Sequence, residues 1–535
     1  MSVLSGRAVR SALELCNELC PDTGAIPNLP RCCNNISFLP SQPPSPPGEK
    51  STFLKLMTTQ PASTGLALHR KNLLRLTCMG ALLLSAIGVQ GQTNIFDLAV
   101  KPAPGGANPA AVSQEPAGPA PAHKPAICPA LPVIPNRVFN VKKYGAVGDG
   151  HATETKALQA AIDAAHKAGG GTVEIPAGNY LCGPLQLENY IRLQLDAGSI
   201  LRMLPIDQYP GGTNNPKNFI TASKLHDIAI AGPGKIEGQG DKWWPLAKTK
   251  GIKRPSMIIL SGERILIEKI TLNNSPQFHM GLRGSNITVR GVTVRAPAST
   301  DPVNPSHNTD ACDVSGNTIL VQDCDISVGD DNYTCGGGTS DVLITHCTYG
   351  YGHGVSIGSY TRGGVSNITV EDCTFTNTEC GIRVKSDRDR GGLVEHLTYR
   401  NLRMTNVGCP IQIFGTYMVK TLMPDQRQFH NLDKITPEIA ATYPAKPVER
   451  LTPIFHDITF SNITATVQSG HRAGIIWGLP EAVADHVLME NVTITADKPF
   501  GIFGAKEVRL VNCKITTPEG VNQLALDHAQ VTVTP

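Results

Sequence analysis

From Ile265 onward the chain repeats one short pattern: alternating apolar residues, a turn residue, an inward apolar residue and a second alternating stretch. It reads Leu266-Ile267-Glu268-Lys269-Ile270-Thr271-Leu272, then Thr288-Val289-Arg290-Gly291-Val292-Thr293-Val294, then Leu320-Val321-Gln322-Asp323-Cys324-Asp325-Ile326. The same frame returns at Cys347, Cys373, Leu402, Ile463, Val492 and Cys513, making nine copies. The interval between most neighbouring copies is too short for a strand-helix-strand unit with its loops but long enough for one coil of short strands. Stacked coils bury their apolar face only against their neighbours. The pattern therefore predicts an all-β fold, a single-stranded parallel β-helix, right-handed by the general bias of parallel crossovers.

The frame also sorts the cysteines. Cys324, Cys347, Cys373 and Cys513 fill the slot held elsewhere by Ile270, Val292, Leu402, Ile463 and Val492, so they read as small buried hydrophobes. Cys182, Cys312, Cys335, Cys380 and Cys409 lie outside it, and any disulfide in an exported protein is to be sought among them. The sequons at Asn286, Asn367, Asn462 and Asn491 fall on turn positions of the repeat. Between Leu402 and Ile463 the usual interval is interrupted, and the inserted segment, Lys420 to Pro453, is placed to wall off one end of a cleft.

The N-terminal part follows other rules. Arg70-Lys71-Asn72-Leu73-Leu74-Arg75 precedes an apolar stretch from Leu76 to Val89, and Val89-Gln90-Gly91 supplies small residues where a signal peptidase cuts. A run of ~14 apolar residues falls short of the ~20 that span a bilayer, which favours cleaved export over an anchor. Residues 57–91 are therefore expected to be a signal peptide beginning at Met57, with residues 1–56 an upstream tail from a mis-assigned start. Residues 92–137 are Pro/Ala-rich and read as a linker, and residues 138–535 as the catalytic β-helix domain, secreted or periplasmic.

Composition narrows the function. The chain is 41% hydrophobic and 17% charged, with 52 Gly and 41 Pro, as suits a turn-rich β protein. A formal charge of +3, with no basic run or zinc-finger spacing, gives no footing for nucleic-acid binding. Basic chemistry must then be local. Four clusters supply it: Asn308-Thr309-Asp310, Gly329-Asp330-Asp331, Gly352-His353-Gly354 and Arg383-Val384-Lys385. The intervals from Asp310 to Asp330, from Asp331 to His353 and from His353 to Arg383 each match one coil of the repeat, which stacks the groups on one lateral face. Three carboxylates, one imidazole and two cations suit acid/base hydrolysis of an acidic sugar polymer, for which one carboxyl must stay protonated and another ionised. Crowding of Asp330 against Asp331 is one way to split them.

The domain's opening, Val141-Lys142-Lys143-Tyr144-Gly145-Ala146-Val147-Gly148-Asp149-Gly150, then a helical segment Thr155–Ile162 and Gly169-Gly170-Gly171-Thr172-Val173-Glu174-Ile175-Pro176, is similar to that of pectin-active β-helix enzymes. In those, a short N-terminal helix caps the coil stack. Asn274-Ser275-Pro276-Gln277-Phe278-His279 and the four clusters resemble the polygalacturonase family of glycoside hydrolases, family 28, over roughly residues 138–535. The resemblance implies Asp330 as general acid, Asp310 and Asp331 as the pair activating water, and His353 as support for the acid's protonation. It implies Arg383 and Lys385 gripping the substrate carboxylate, with Asn308 and Tyr417 near the substrate. Asn332 stands where Cys is usual, Ala311 where Gly is usual, and Val384 where Ile is usual; none removes a reactive group.

The expected activity is inverting hydrolysis of α-1,4-galacturonosidic bonds in pectin or polygalacturonate, by a monomer without metal or cofactor, binding neither nucleic acid nor, once the signal is cleaved, membrane. A rhamnogalacturonan hydrolase is the nearest alternative, though that branch typically lacks the histidine and the Arg-x-Lys cluster. A calcium-dependent pectate lyase would leave His353 without a role, and a non-catalytic β-helix carbohydrate-binding protein would leave all four clusters without one.

Overall fold

The computed structural model describes residues 127–417 and 431–535. The expected tail, signal peptide and most of the linker lie outside them. The described strands form one continuous parallel system of 30, in which each pairs with its counterpart one coil earlier and one coil later. This is the expected parallel β-helix. Among the described residues no helix is long and apolar enough to cross a membrane.

Two corners of each coil are turned by residues in the left-handed region. One column runs Arg264, Asn286, Thr318, Asp341, Asn367, His396, Asp457, His486 and Glu507, all with φ between 51° and 57°. The other runs Lys269, Gly291, Asp323, His346, Asp372, Asn401, Asn462, Asn491 and Asn512, each immediately before the repeat's inward apolar slot. Asn and Asp tolerate this conformation because their short polar side chains bond locally. In the second column those side chains also bond between coils: Asn512 Nδ2 donates to Asn491 Oδ1 at 2.7 Å, Asn491 to Asn462 and Asn462 to Asn401 at 3.1 Å, and Asn401 to Asp372 at 3.0 Å. All four sequon asparagines sit on these corners, as expected.

The inward slot is buried throughout at Ile270, Val292, Cys324, Cys347, Cys373, Leu402, Ile463 and Val492, and half-buried at Cys513. The ten described cysteines are free thiols, including Cys182, Cys312, Cys335, Cys380 and Cys409, where any disulfide was to be sought. Cys380 and Cys409 are register partners, yet each is buried as a thiol, and burial pushes Cys182, Cys335 and Cys409 up to about 12. These sulfurs fill space.

The N-terminal helix, Thr155–Lys167, extends beyond the segment read from the sequence, which stopped at Ile162. It buries Leu158, Ala161, Ile162 and Ala165 against Val141, Val173 and Ile191, closing the core at that end. Residues before the first strand run along the stack: Ala130 N–H donates to Asn286 Oδ1 at 3.0 Å and Val133 N–H to Asp227 Oδ1 at 2.8 Å.

The corner conformation itself can be tested. Asn491→Ala forces a side chain without local hydrogen bonding into φ 55° and removes two ladder contacts, and should lower stability by ~1–3 kcal/mol in urea unfolding. Asn491→Gly should cost clearly less, since glycine enters this region freely. Equal losses would assign the effect to the amide ladder alone.

Candidate active site

Register brings the four clusters together. Cys312, Tyr333, Val355 and Ile382 pair in successive coils. Two residues before the first three stand Asp310, Asp331 and His353, and Arg383 pairs with Ser356. The backbone completes the line: His279 N–H donates to Asp310 O at 2.8 Å, Ala311 N–H to Asp331 O at 2.9 Å, and His353 N–H to Asp330 O at 2.9 Å. A cleft of about 570 Å³ is lined by Asn308, Asp310, Asp330, Asp331, His353, Lys385 and Tyr417.

Asp331 sits beneath this wall, only 3% exposed. Its carboxylate accepts from Ser356 Oγ at 2.7 Å, from Lys385 Nζ at 2.9 Å and, very closely, from Arg383 Nη2. Burial works to raise its pKa, but the charges of Arg383 and Lys385 outweigh burial and hold it well below the usual carboxylate range. Both cations thus face a protein carboxylate. Lys385 Nζ is also 5.0 Å from the centre of the Tyr417 ring.

Asp330 is more open, its side chain 17% exposed. Oδ2 accepts from the Asn308 backbone N–H and from Nδ2, both at 3.2 Å, and Oδ1 lies 3.1 Å from His353 Nδ1. Burial raises its pKa, yet the His353 hydrogen bond and charge bring it below the ordinary value. Asp310 behaves oppositely: burial first, then the charges of Asp330 and Asp331, push it well above the usual range. The crowding anticipated between Asp330 and Asp331 therefore raises Asp310 instead, because Asp331 has two cations and Asp330 has an imidazole.

His353 is held from both sides. Nε2 is 3.0 Å from Glu379 Oε2, while Nδ1 lies between Asp330 Oδ1 and Arg383 Nη2, the latter at 2.9 Å. Burial and the Arg383 charge lower its pKa, but hydrogen bonds to Asp330, Asp331 and Glu379 prevail and raise it well above the imidazole norm. With Nδ1 protonated the ring donates to Asp330. With Nδ1 bare it accepts from Arg383 and the proton resides on Asp330. Imidazole and carboxyl thus share one proton across 3.1 Å.

Asn332 ties the histidine loop down: it is fully buried, donates to Tyr351 O at 2.9 Å, and accepts from Gly354 N–H at 2.8 Å. Gly354, at φ 66°, has no room for a Cβ, which would lie 2.1 Å from Gly381 O. His279 is buried and structural, its Nδ1 3.1 Å from Thr309 O, which steadies the residue before Asp310.

Two contributors escaped the sequence reading. Glu379 stands three residues before Ile382, in register with Asp330 three before Tyr333, an offset that needs the actual pairing to be seen. Arg254 belongs to a coil preceding the recognised repeat; it donates to His307 O at 2.7 Å and to Asn308 Oδ1 at 3.2 Å. Of the insertion, Asn431, Leu432 and Asp433 line a neighbouring cavity of about 650 Å³ together with Glu379, Arg383 and Tyr417.

Asp330, Asp331 and His353 also meet the spacing of a metal cluster, their donor atoms lying within 4.8 Å of one another. Arg383 and Lys385 already bring two positive charges to Asp331, and Glu379 engages the other histidine nitrogen, so these donors are committed to protein partners.

Comparison with known proteins matches the model of glycosyl hydrolases family 28 to residues 167–436. An endo-polygalacturonase of Pectobacterium carotovorum subsp. carotovorum is 31% identical over 387 residues, 65% of this chain and 86% of that protein. An exopolygalacturonase of Zea mays is 31% identical over 362 residues, 64% of this chain and 80% of that one. Among solved structures, the polygalacturonase from Erwinia carotovora ssp. carotovora superposes with a TM-score of 0.54 at 27% identity, covering 70% of this chain and 97% of its own. The family 28 exopolygalacturonase of Yersinia enterocolitica, at 20% identity and TM-score 0.60 over 75% and 78% of the two chains, shares the fold.

The two adjacent aspartates should respond differently to loss of charge, because Asp330 faces the cleft and Asp331 is buried. Asp330→Asn should lower turnover at least ~10²-fold with stability nearly unchanged. Asp331→Asn strands Arg383 and Lys385 as buried cations and should in addition cost ~3–5 kcal/mol in denaturant unfolding. Equal stability of the two variants would refute the buried ion cluster.

Proposed function

The chain belongs to glycosyl hydrolases family 28, and from that premise we propose that it is a polygalacturonase hydrolysing α-1,4-galacturonosidic bonds with inversion. The observation that carries this reading is the different surroundings of the three carboxyls. Asp330 is open to the cleft with His353 Nδ1 3.1 Å away, Asp331 is buried against Arg383 and Lys385, and Asp310 is buried beside both other carboxyls, which raises its pKa.

In the proposed reaction, Asp330 gives its proton to the glycosidic oxygen as that bond breaks. A water attacks the anomeric carbon from the opposite face, and its proton passes to the Asp310–Asp331 pair. The proton taken up by the Asp310–Asp331 pair is released to solvent, and solvent restores the one proton shared by Asp330 and His353. Arg383 and Lys385 keep Asp331 anionic through the cycle, and Arg254 brings a third cation to Asn308 at the cleft. Positive charge there suits a uronate polyanion. The Arg70–Gly91 segment supports action outside the cytoplasm, secreted or periplasmic.

Purified protein should release new reducing ends from polygalacturonate, and proton NMR should show the anomer inverted in the first product. Chelation with EDTA should leave the rate unchanged, because protein cations supply the positive charge at Asp331. An ultraviolet-absorbing unsaturated product, lost with EDTA and restored by calcium, would instead establish a lyase.

The pH profile follows from the shifts. Activity requiring ionised Asp310 should rise with pH through a limb above the ordinary aspartate value of 3.8, since its pKa is raised. Activity requiring the His353 proton should fall only above the ordinary imidazole value of 6.5. His353→Ala should lower kcat and move the alkaline limb to lower pH; an unmoved limb would mean the ring is only packing.

A further inference from the structure

Ahead of the first strand, the chain follows the left-handed corner column from coil to coil. Asp227 and Asn286 stand two coils apart in that column, with Arg264 between them. Asp227 accepts the N–H of Val133 and Asn286 that of Ala130. Paired strands lie about 4.8 Å apart, so three residues cover roughly 10 Å, the rise of an extended, polyproline-like chain. The direction is backwards, with earlier residues meeting later coils. From Asn286 the column continues through Thr318, Asp341 and Asn367 to His396. Those four steps are roughly 19 Å, which takes about six residues at the same rise. The residue at that place in the sequence is Lys124.

Beside the column in these later coils lies an open groove of about 540 Å³, lined by Gly338, Ser340, Gly364, Ser366, Leu393 and Glu395 among others. Ser340, Ser366 and Glu395 are register partners, each immediately before its corner residue. We propose that the segment just before Ile127, Pro121-Ala122-His123-Lys124-Pro125-Ala126, occupies this groove as an extended strap with Lys124 at Glu395.

The chemistry of the groove fits that occupant. Its glycines and serines let a second backbone lie close. At its far side Leu393 and its register partner Ile454 are 40% and 39% exposed, an apolar pair that suits proline and alanine side chains. Glu395 Oε2 is 3.7 Å from His396 Nε2, outside hydrogen-bond reach, and the segment brings Lys124 and no acid. Pro121 and Pro125 fix φ near the extended value beforehand, so docking costs little further chain entropy.

The strap has a structural purpose. The strands that line the groove follow Asp330 and Asp331, His353, and Arg383 and Lys385 along the chain, so it ties together the three coils that supply these groups. Residues 121–126 then belong to the folded domain rather than to a free linker.

The test treats the full chain with a carbodiimide, which joins a lysine amine to an adjacent carboxylate, followed by digestion and peptide mass spectrometry. An intramolecular Lys124–Glu395 amide is expected, and Glu395→Gln should abolish it while activity on polygalacturonate persists. The Lys124→Glu/Glu395→Lys double variant should restore the link between the same two positions, which no merely destabilised variant would do. Raising the salt concentration should lower its yield. Lys124 joined indifferently to acids around the molecule, or to none, would overturn the strap. So would a Lys124–Glu395 link formed only between two copies of the chain.

Discussion

Everything in this molecule depends on parallel register between successive coils. Each coil must turn through left-handed backbone at two corners, and each turn must land beside the one before it, or the apolar slot leaves the core and the functional residues leave their line. The columns at Arg264–Glu507 and Lys269–Asn512 keep that phase. Along the second, amide bonds from Asn512 back to Asp372 tie one coil to the next where backbone ladders do not reach.

Upon that scaffold the site is organised by one buried anion. Asp331 draws Ser356, Arg383 and Lys385 from two later coils, and its neutralisation decides where the remaining protons go. Asp310, without a comparable partner, is pushed toward its neutral form, while Asp330 stays near the surface in exchange with His353. Three like carboxyls in a small volume acquire three different tendencies because each meets a different neighbour.

The cations therefore have a role beyond the one the resemblance assigned them. A guanidinium and an ammonium committed to Asp331 set the electrostatics around the three carboxyls and still contribute positive charge at the cleft. Glu379 extends the same logic by fixing the far nitrogen of His353, and Asn332, in place of the usual sulfur, fixes its loop. Phe414, Ile435, Tyr443, Trp477 and Phe503 form a second small core that seats part of the insertion on the later coils.

Read alone, the sequence determined the coil architecture, because a buried slot recurring at intervals too short for a crossover helix can be satisfied only by stacking. It also identified Asn308, Asp310, Asp330, Asp331, His353, Arg383, Lys385 and Tyr417 as one group, since coil-length spacing puts side chains on one face whatever their detailed contacts. The helix was found but cut short, as its last residues, from Asp163 to Lys167, carry only Ala165 into the core. What spacing does not contain is exact register, because a short coil and a long coil place the same motif differently. Glu379, Arg254, the depth of Asp331 and the absence of a disulfide between the aligned Cys380 and Cys409 were decided by the tertiary structure alone. Burial and charge pairing, which assign the protons, are properties of neighbours in space, and these come from different coils.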